Sequence, residues 1–232
     1  MLDIEYNGVK GSELKVYAKD RPEIPAAKRV YEEIVLPGKD GIYLIDTGRY
    51  ENVNLNLRMN YIGNENEWYD KWRKIKSWLS KTNGELTLSD DPDYYFKVSK
   101  VIIGNNIRLS KRIGDFDVTF VLKDGLHYLK KGKEKHDPKE AEWNPGEESF
   151  PLFCINGTGN CVISINDQEF KVVVNGKIII DSERQVIYSE DKKIINNIAK
   201  GNYKNLCLLK GKNVINVTKG FDVKIIPNWR CL

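Results

Sequence analysis

The sequence predicts a mainly β protein, with an N-terminal antiparallel β domain that carries one amphipathic α-helix and a C-terminal β-sandwich. Three observations lead to this fold class. Residues 64–81 have helical periodicity, whereas the other apolar segments alternate or form short runs between turn residues. A charged stretch with two prolines then divides the chain. Short strand-like segments at regular spacing follow it, as in a compact sandwich.

The predicted helix spans residues 64–81. Acidic residues crowd its start and basic residues its end, an order that the helix dipole favours. Its large apolar residues recur at helical spacing: Trp68, Trp72, Ile75, Trp78 and Leu79. We call them the tryptophan stripe. The spacing favours packing of this stripe on a sheet, while a stacking platform for sugars or bases and burial between subunits are the alternatives.

Residues 51–61 alternate apolar residues with asparagine and arginine, which predicts a half-buried antiparallel strand. The other strands predicted in this part are residues 29–36, 41–46, 85–89, 94–103, 107–112 and 115–123. Short turns join consecutive strands. The first domain is therefore expected to be an antiparallel meander without parallel βαβ units.

The charged stretch predicts the domain boundaries. Residues 1–130 form the first domain, residues 131–148 a linker with charges of both signs, and residues 149–232 the sandwich. The strands predicted in the sandwich are residues 150–155, 161–165, 169–174, 177–180, 185–188, 205–209, 213–218 and 222–226. Asn166-Asp167 and Asn175-Gly176 are predicted to be turns.

Composition excludes several classes. The chain has 232 residues, of which 41% are hydrophobic, so it can bury a real core. Its 37 basic residues nearly balance 33 acidic ones, which argues against a nucleic-acid partner. The first residues lack the apolar core of a signal peptide, and no apolar run is long enough to span a membrane. Neither export by the usual signal nor a membrane partner is expected.

The candidate reactive residues indicate structure rather than chemistry. Four cysteines are predicted to be reduced and buried in strands, without a nearby ligand pair for a metal: Cys154, Cys161, Cys207 and Cys231. A carboxylate cluster, Asp90, Asp91 and Asp93, surrounds a proline and favours a turn. His127 and His136 have no partner near them in sequence. We therefore assign no catalytic, cofactor-binding or metal-binding residue and no cofactor, although a pair of carboxylates in a glycosidase stays open.

Taken together, the order of these elements resembles the distal tail protein of long, non-contractile-tailed (siphovirus-type) bacteriophages or prophages. The helix segment KWRKIKSWL is followed by ELTLSDDPDYYFKV, and VTFVLKDGLHYL precedes the charged linker. The C-terminal part contains VVVNGKIIIDSERQVIY, then NYKNLCLLKGKNVINVTKG and a closing strand. The likeness covers essentially the whole chain, and its specificity lies in the order of these motifs.

The resemblance implies a structural protein, not an enzyme, that forms a ring, usually a hexamer, at the tip of the phage tail. Its partners would be further copies of itself, the tail tube protein and the tail-tip proteins, such as a tail-associated lysin or a receptor-binding protein. The galectin-like C-terminal sandwich would project outward. The protein would be located in the virion after synthesis in the cytoplasm of the bacterial host. The C-terminal part has no room for the inserted carbohydrate-binding module that some members carry.

A ring needs surfaces that join its copies. An exposed edge of the antiparallel sheet would serve, and residues 37–61 are expected to reach toward a neighbouring subunit, because they form an extended pattern with one unusually polar face. The main alternative function is a carbohydrate-binding module for bacterial surface glycan, which would use Tyr188, Tyr203 and Trp229. A nucleic-acid-binding protein and a carboxylate hydrolase of cell-wall glycan are the more distant alternatives.

Overall fold

The computed structural model describes residues 2–232 in two units, one that ends at His127 and one that spans Tyr128–Cys231. The first unit contains one α-helix among its described residues, α1 (Trp68–Leu79), preceded by a 3₁₀ turn at Glu65–Glu67. Its strands are β1 (Ile4–Tyr6), β2 (Val9–Lys10), β3 (Val16–Ala18), β4 (Arg29–Ile34), β5 (Tyr43–Tyr50), β6 (Val53–Ile62), β7 (Gly84–Leu88), β8 (Tyr94–Ile103), β9 (Ile107–Arg108) and β10 (Ile113–Leu122).

The main sheet of this unit closes on itself. Its strands follow the order β2-β1-β7-β8-β10-β6-β3, with β9 beside β10, and the neighbours are antiparallel. The Ala18 N–H donates to the carbonyl of Leu2 at 3.0 Å, so β3 joins the segment that leads into β1. Closure therefore uses the edge of β3, so this edge is not the exposed one that was expected to join copies of the chain.

The core of the first unit follows the periodicities of the sequence. Along β6 the apolar residues are buried and the intervening residues are mostly exposed, which confirms the alternation predicted there. Helix α1 buries Trp68, Ile75, Trp78 and Leu79 in the same core, and Trp72 packs against it half-buried. The indole N–H of Trp78 donates to the carbonyl of Tyr6 at 3.1 Å. The tryptophan stripe is thus the inner face of the helix.

Strands β4 and β5 pair only with each other and form a separate two-stranded hairpin. We call residues 29–50 the arm. The sequence predicts that residues 37–61 reach toward a neighbouring subunit, but the arm begins eight residues earlier, at Arg29. Strand β6, with its asparagine-rich face, belongs to the main sheet instead. The location of the extension in residues 37–61 was therefore partly wrong. The polar face of β6 is simply the solvent side of the closed sheet.

The second unit is entirely β apart from short 3₁₀ turns. Its strands are β11 (His127–Leu129), β12 (Ala141–Asn144), β13 (Leu152–Ile165), β14 (Gln168–Asp181), β15 (Val186–Ser189), β16 (Ala199–Lys200), β17 (Gly211–Val217), β18 (Asp222–Ile226) and β19 (Arg230–Cys231). Its seven-stranded sheet has the order β12-β17-β13-β14-β15, with β18 on β13 and β16 on β14, whereas β11 and β19 pair with each other outside this sheet.

Two strands of 14 residues, β13 and β14, replace the four short strands that the sequence predicts there. The predicted turn at Asn166-Asp167 joins them, with both residues at positive φ. The predicted turn at Asn175-Gly176 is wrong: these residues continue β14 opposite Thr158 and Gly157. Gly176 accommodates a φ of +89°, so a turn-type residue serves as an irregularity inside a strand.

The long strands build both layers of the sandwich. One half of β13 pairs with β18 and the other half with β17, yet side chains from both halves lie in one core. The sheet must therefore curl over on itself. This antiparallel, mainly β architecture with one helix confirms the predicted fold class.

The segment predicted as a linker, residues 131–148, is built into the second unit. It contains a 3₁₀ turn at Lys130–Lys133 and strand β12, which pairs with β17. Its charged and polar residues are not all solvated, since Glu142 and Asn144 are buried. The Asn144 amide donates to the carbonyls of Glu147 and Leu208 at 2.8 and 3.0 Å. A buried, hydrogen-bonded polar pattern looks like a solvated one in sequence, which explains the difference.

Candidate assembly surface

The arm carries the largest concentration of exposed apolar side chains in the first unit. Their exposed fractions range from 38% to 69%, and they are Tyr31, Ile34, Val35, Leu36, Ile42, Tyr43, Leu44 and Ile45. Single exposed apolar residues are common on proteins, but a contiguous patch of this kind marks an interaction surface.

Both faces of the arm carry exposed apolar residues. Residues that are paired across a β-ladder project from the same face. Ile34 pairs with Tyr43, while Glu33 pairs with Leu44 on the opposite face. Glu32 then pairs with Ile45. Neither face is buried by the rest of the described chain, so each face lacks the cover that apolar strands normally receive.

Polar contacts fix the base of the arm. Arg29 forms an ion pair with Asp46 and lies over the ring of Tyr50, 5.2 Å from its centroid. The hydroxyl of Thr47 donates to the carbonyl of Val30 at 2.7 Å. A hydrogen bond from the Gly48 N–H, together with Arg29, lowers the pKa of the exposed Asp46 carboxyl. The arm therefore has a defined, polar root and an apolar outer part.

An isolated two-stranded hairpin is only marginally stable in water, and a third strand or a packing surface is normally needed. The outer part of the arm has neither among residues 2–232. Its apolar residues would therefore be stabilised by contact with another molecule.

The carboxylate cluster and the tryptophan stripe, which the sequence offered for small-molecule chemistry, make structural contacts instead. The carboxylates around Pro92 lie in the predicted turn, where the Asp91 N–H donates to the carbonyl of Leu88 at 3.1 Å. Asp90 forms an ion pair with Arg21 at 2.6 Å. The burial of Trp68 and Trp78 in the core favours the packing interpretation over a stacking platform.

Both histidines lie beside carboxylates that the sequence did not associate with them. His127 Nδ1 lies 3.7 Å from Asp91 Oδ2, in a recess of about 180 Å³ that Phe96 also lines. His136 Nε2 lies 3.3 Å from Oε2 of the buried Glu142. Folding thus gives each histidine a carboxylate neighbour, from another part of the first unit for His127 and from six residues along the chain for His136.

A groove of about 660 Å³ in the first unit lies between residues 20–25 and the polar outer face of β6 and β10. Its carboxylates, Asp20, Glu23 and Asp117, are all exposed. A glycosidase keeps its general acid in apolar surroundings, whereas these three carboxylates face solvent. Nothing in this groove favours the carboxylate hydrolase.

The four cysteines are not joined in disulfides. Cys161 is buried, as predicted, whereas the other three are half-buried. Burial raises the pKa of the Cys161 thiol to about 11 and that of Cys207 to about 12, the latter with help from Glu148. Within residues 2–232, no three His, Cys, Asp or Glu side chains come together as a possible metal site.

The aromatic residues proposed for sugar binding are not exposed. Tyr188, Tyr203 and Trp229 are all half-buried, and the Tyr203 ring packs on Phe170 at 5.0 Å between centroids. The exposed aromatic side chain of this unit is Trp143, which is 65% exposed on β12. Because Trp143 lies in the predicted linker, nothing in the sequence indicated a binding role for it.

No helix within residues 2–232 combines the length and the apolar character that crossing a bilayer requires.

Comparison with known proteins gives a structural match and no sequence match. No protein-family model and no curated protein matches the chain. The fold is similar to that in the crystal structure of SPP1 Dit (gp 19.1), described as a paradigm of the hub adsorption apparatus in phages that infect Gram-positive bacteria. The TM-score is 0.67 over the full length of both chains, at 14% sequence identity. The chain thus has the fold of this distal tail protein, which confirms the resemblance at the level of fold.

Proposed function

We propose that this protein is a structural hub of a phage tail tip, which assembles into a hexameric ring and joins the tail tube to the adsorption apparatus. The observation that carries the proposal is a full-length fold match to a tail hub protein combined with an arm that carries exposed apolar residues on both faces. Fold alone does not establish function, so the arm is the part of the argument that belongs to this chain.

The arm provides the kind of contact that a ring requires. A projecting element of one copy that binds a different surface of the next copy makes a heterologous contact, and repetition of this contact gives a ring when the rotation closes. The closed main sheet supports the same conclusion, because closure leaves β4 and β5 as the long strands with open edges in this unit. Burial of one half-exposed apolar side chain would contribute about 1 kcal/mol to association.

The proposed partners are further copies of the chain, the tail tube protein and a tail-tip protein such as a lysin or a receptor-binding protein. The proposed location is the virion. A structural role fits a chain in which both histidines lie beside carboxylates and Asp90 is paired with Arg21. The domain roles are part of the proposal: the first unit forms the ring, and the second projects from it.

Light scattering over a range of concentrations, with negative-stain images of the large species, tests the proposal. We expect an integral multiple of the mass of one chain and ring-shaped particles. The variant Ile34→Ser/Leu44→Ser/Ile45→Ser should stay at the mass of one chain. Substitution of exposed apolar residues in the second unit, Val173→Ser/Ile194→Ser, is the matched control and should leave the mass of the assembly unchanged.

Two results would contradict the proposal: a single chain at every concentration, alone and with tail tube protein added, or rings that persist in the arm variant. Binding of the full chain to a bacterial glycan array would favour the carbohydrate-binding alternative instead. We expect no binding there.

A further inference from the structure

A second apolar surface of the first unit lies at the end of β6 that is far from the arm. It consists of Ile62, Ile107, Leu109 and Ile113, whose exposed fractions range from 38% to 58%. We call it the aliphatic patch. Ile113 pairs with Ile62, and Ile107 pairs with Asp115, two residues along β10, so three of its members share the outer face of the sheet. The Leu109 N–H donates to the carbonyl of Ile113 at 3.0 Å and holds the fourth beside them.

Basic residues surround this patch. Lys15, Lys71 and Arg112 line a pocket of about 90 Å³ whose wall also includes Ile62, so the charges and the patch are continuous. Lys111 is next to Arg112 in the chain, and we call these four residues the basic rim. Three acidic residues lie nearby. Glu67 lines the same pocket, Glu65 pairs with Lys111 at 3.1 Å, and Asp115, opposite Ile107, pairs with Lys19 at 2.9 Å.

The rim keeps an excess of positive charge. Burial, and then the charges of Lys15 and Lys74, lower the pKa of Lys71, which Glu67 only partly offsets. A negative charge from another molecule would be favourable at this pocket.

The arm has the complementary composition. In its paired section, residues 31–34 against 43–46, the charged residues are all acids: Glu32, Glu33 and Asp46, of which Asp46 is already paired with Arg29. The segment of the patch, residues 107–113, combines three aliphatic residues with three bases and contains no acid. Matching of opposite charges around an apolar centre fixes both the partner and the register of a contact.

The positions of arm and patch suit a contact between copies. The arm leaves the main sheet just before Val53, at one end of β6, and Ile62 lies at the other end, about 30 Å away at the rise of a β-strand. Both surfaces are exposed within one chain, so a chain does not cover its patch with its own arm. An arm and its binding surface at opposite ends of β6 give the head-to-tail geometry that a ring requires.

We propose that the arm of one copy binds the aliphatic patch of the next copy through the face that carries Ile34, Tyr43 and Ile45, with Glu32 of that face directed at the basic rim. This inference rests on the proposed ring function and names the two surfaces that meet in it.

Charge reversal tests the contact. Lys15→Glu/Arg112→Glu, at two exposed positions of the rim, should weaken association at least about tenfold in light scattering or mass photometry. Glu32→Lys/Glu33→Lys in the arm should do the same. A mixture of the two variants, or both pairs in one chain, should restore assembly. Lys192→Glu/Lys193→Glu, in an exposed loop of the second unit, changes the net charge equally and should have no effect.

The outcomes separate this inference from the proposed function. Assembly that depends on the apolar residues of the arm but does not respond to reversal of the rim would overturn the inference and leave the hub function intact. Loss of assembly in both variants without mutual rescue would also overturn it. Rings that form in every arm variant would contradict both the inference and the proposed function.

Photo-crosslinking identifies the contact directly, even when the association is weak. The crosslinker p-benzoylphenylalanine at Tyr43 preserves the aromatic ring, and a mixture of isotopically light and heavy chains distinguishes crosslinks between copies. We expect crosslinks between copies to the peptide that contains residues 107–113. Crosslinks within one chain, crosslinks to another surface, or none at high concentration would each contradict the inference.

Discussion

The tryptophan helix and the arm both concentrate large apolar residues in one short segment, yet the helix buries them and the arm exposes them. In α1 the apolar residues follow the helical period and therefore form a single stripe, which one surface of the closed sheet covers. In the arm the apolar residues occupy both faces of a hairpin. The described chain covers neither face, and this exposure indicates an interaction surface.

The comparison predicts that substitutions in the helix lower the stability of the fold, whereas substitutions in the arm weaken association between copies. The largest effect should come from Trp78→Ala, which removes a buried indole and its hydrogen bond to Tyr6. We expect a loss of about 3–5 kcal/mol in the free energy of unfolding. Urea titration followed by tryptophan fluorescence measures it, since three of the five tryptophans lie in α1. Tyr69→Ala, on the exposed face, should change stability by less than about 0.5 kcal/mol; similar losses for both would contradict the assignment.

A second prediction concerns the close approach of β10 to Tyr61 in the first core. A Cβ at Gly114 would lie 2.2 Å from Cζ of the buried Tyr61. Gly114→Ala should therefore force the ring to move and cost about 1–3 kcal/mol. Gly63→Ala is the control, because its Cβ would meet only the side chain of Lys71 at 3.7 Å. Equal urea midpoints for the two variants would show that Tyr61 is not held tightly.

Periodicity made the buried half of this comparison predictable. The tryptophan stripe and the alternation of β6 each encode one covered face, and the residues that they bury can be read from the order of the side chains. The arm was harder to place because its first strand resembles an ordinary β-strand. The asparagines of β6 suggested an interface, although they are the solvent face of a closed sheet.

The second unit was harder to predict because contacts between residues distant in sequence override the local preferences of several residues there. Asn175-Gly176 has turn chemistry, yet pairing with Thr158 and Gly157 keeps it inside β14. Glu142 and Asn144 look solvated, yet both are buried, and Asn144 is held by carbonyls from distant parts of the unit. A fragment that starts at Ser149 would lack β12, so experiments on this unit should begin at Tyr128.

A third prediction, smaller in effect, separates folding from association in the arm. Leu44→Ser/Ile45→Ser should change the free energy of unfolding of the single chain by less than about 0.5 kcal/mol, because these side chains already face solvent. The matched pair Leu55→Ser/Leu57→Ser, on buried positions of β6, should destabilise the chain by several kcal/mol. A large loss of stability in the arm variant would mean that the arm packs against its own chain.

The last prediction uses thiol chemistry to read the same contrast between buried and exposed residues. Thiols react as thiolates, and burial raises the pKa of Cys161 to about 11, so at pH 8 its thiolate fraction should be about a hundredfold below that of an ordinary thiol. A reporter in Leu44→Cys, in the exposed arm, should react at the rate of a free thiol in the single chain and become protected in the assembly. Alkylation followed by peptide mass spectrometry resolves the two sites. Rapid labelling of Cys161 at pH 8 would show that the second core opens readily, while unchanged labelling of the arm upon assembly would show that the arm is not the surface that joins the copies.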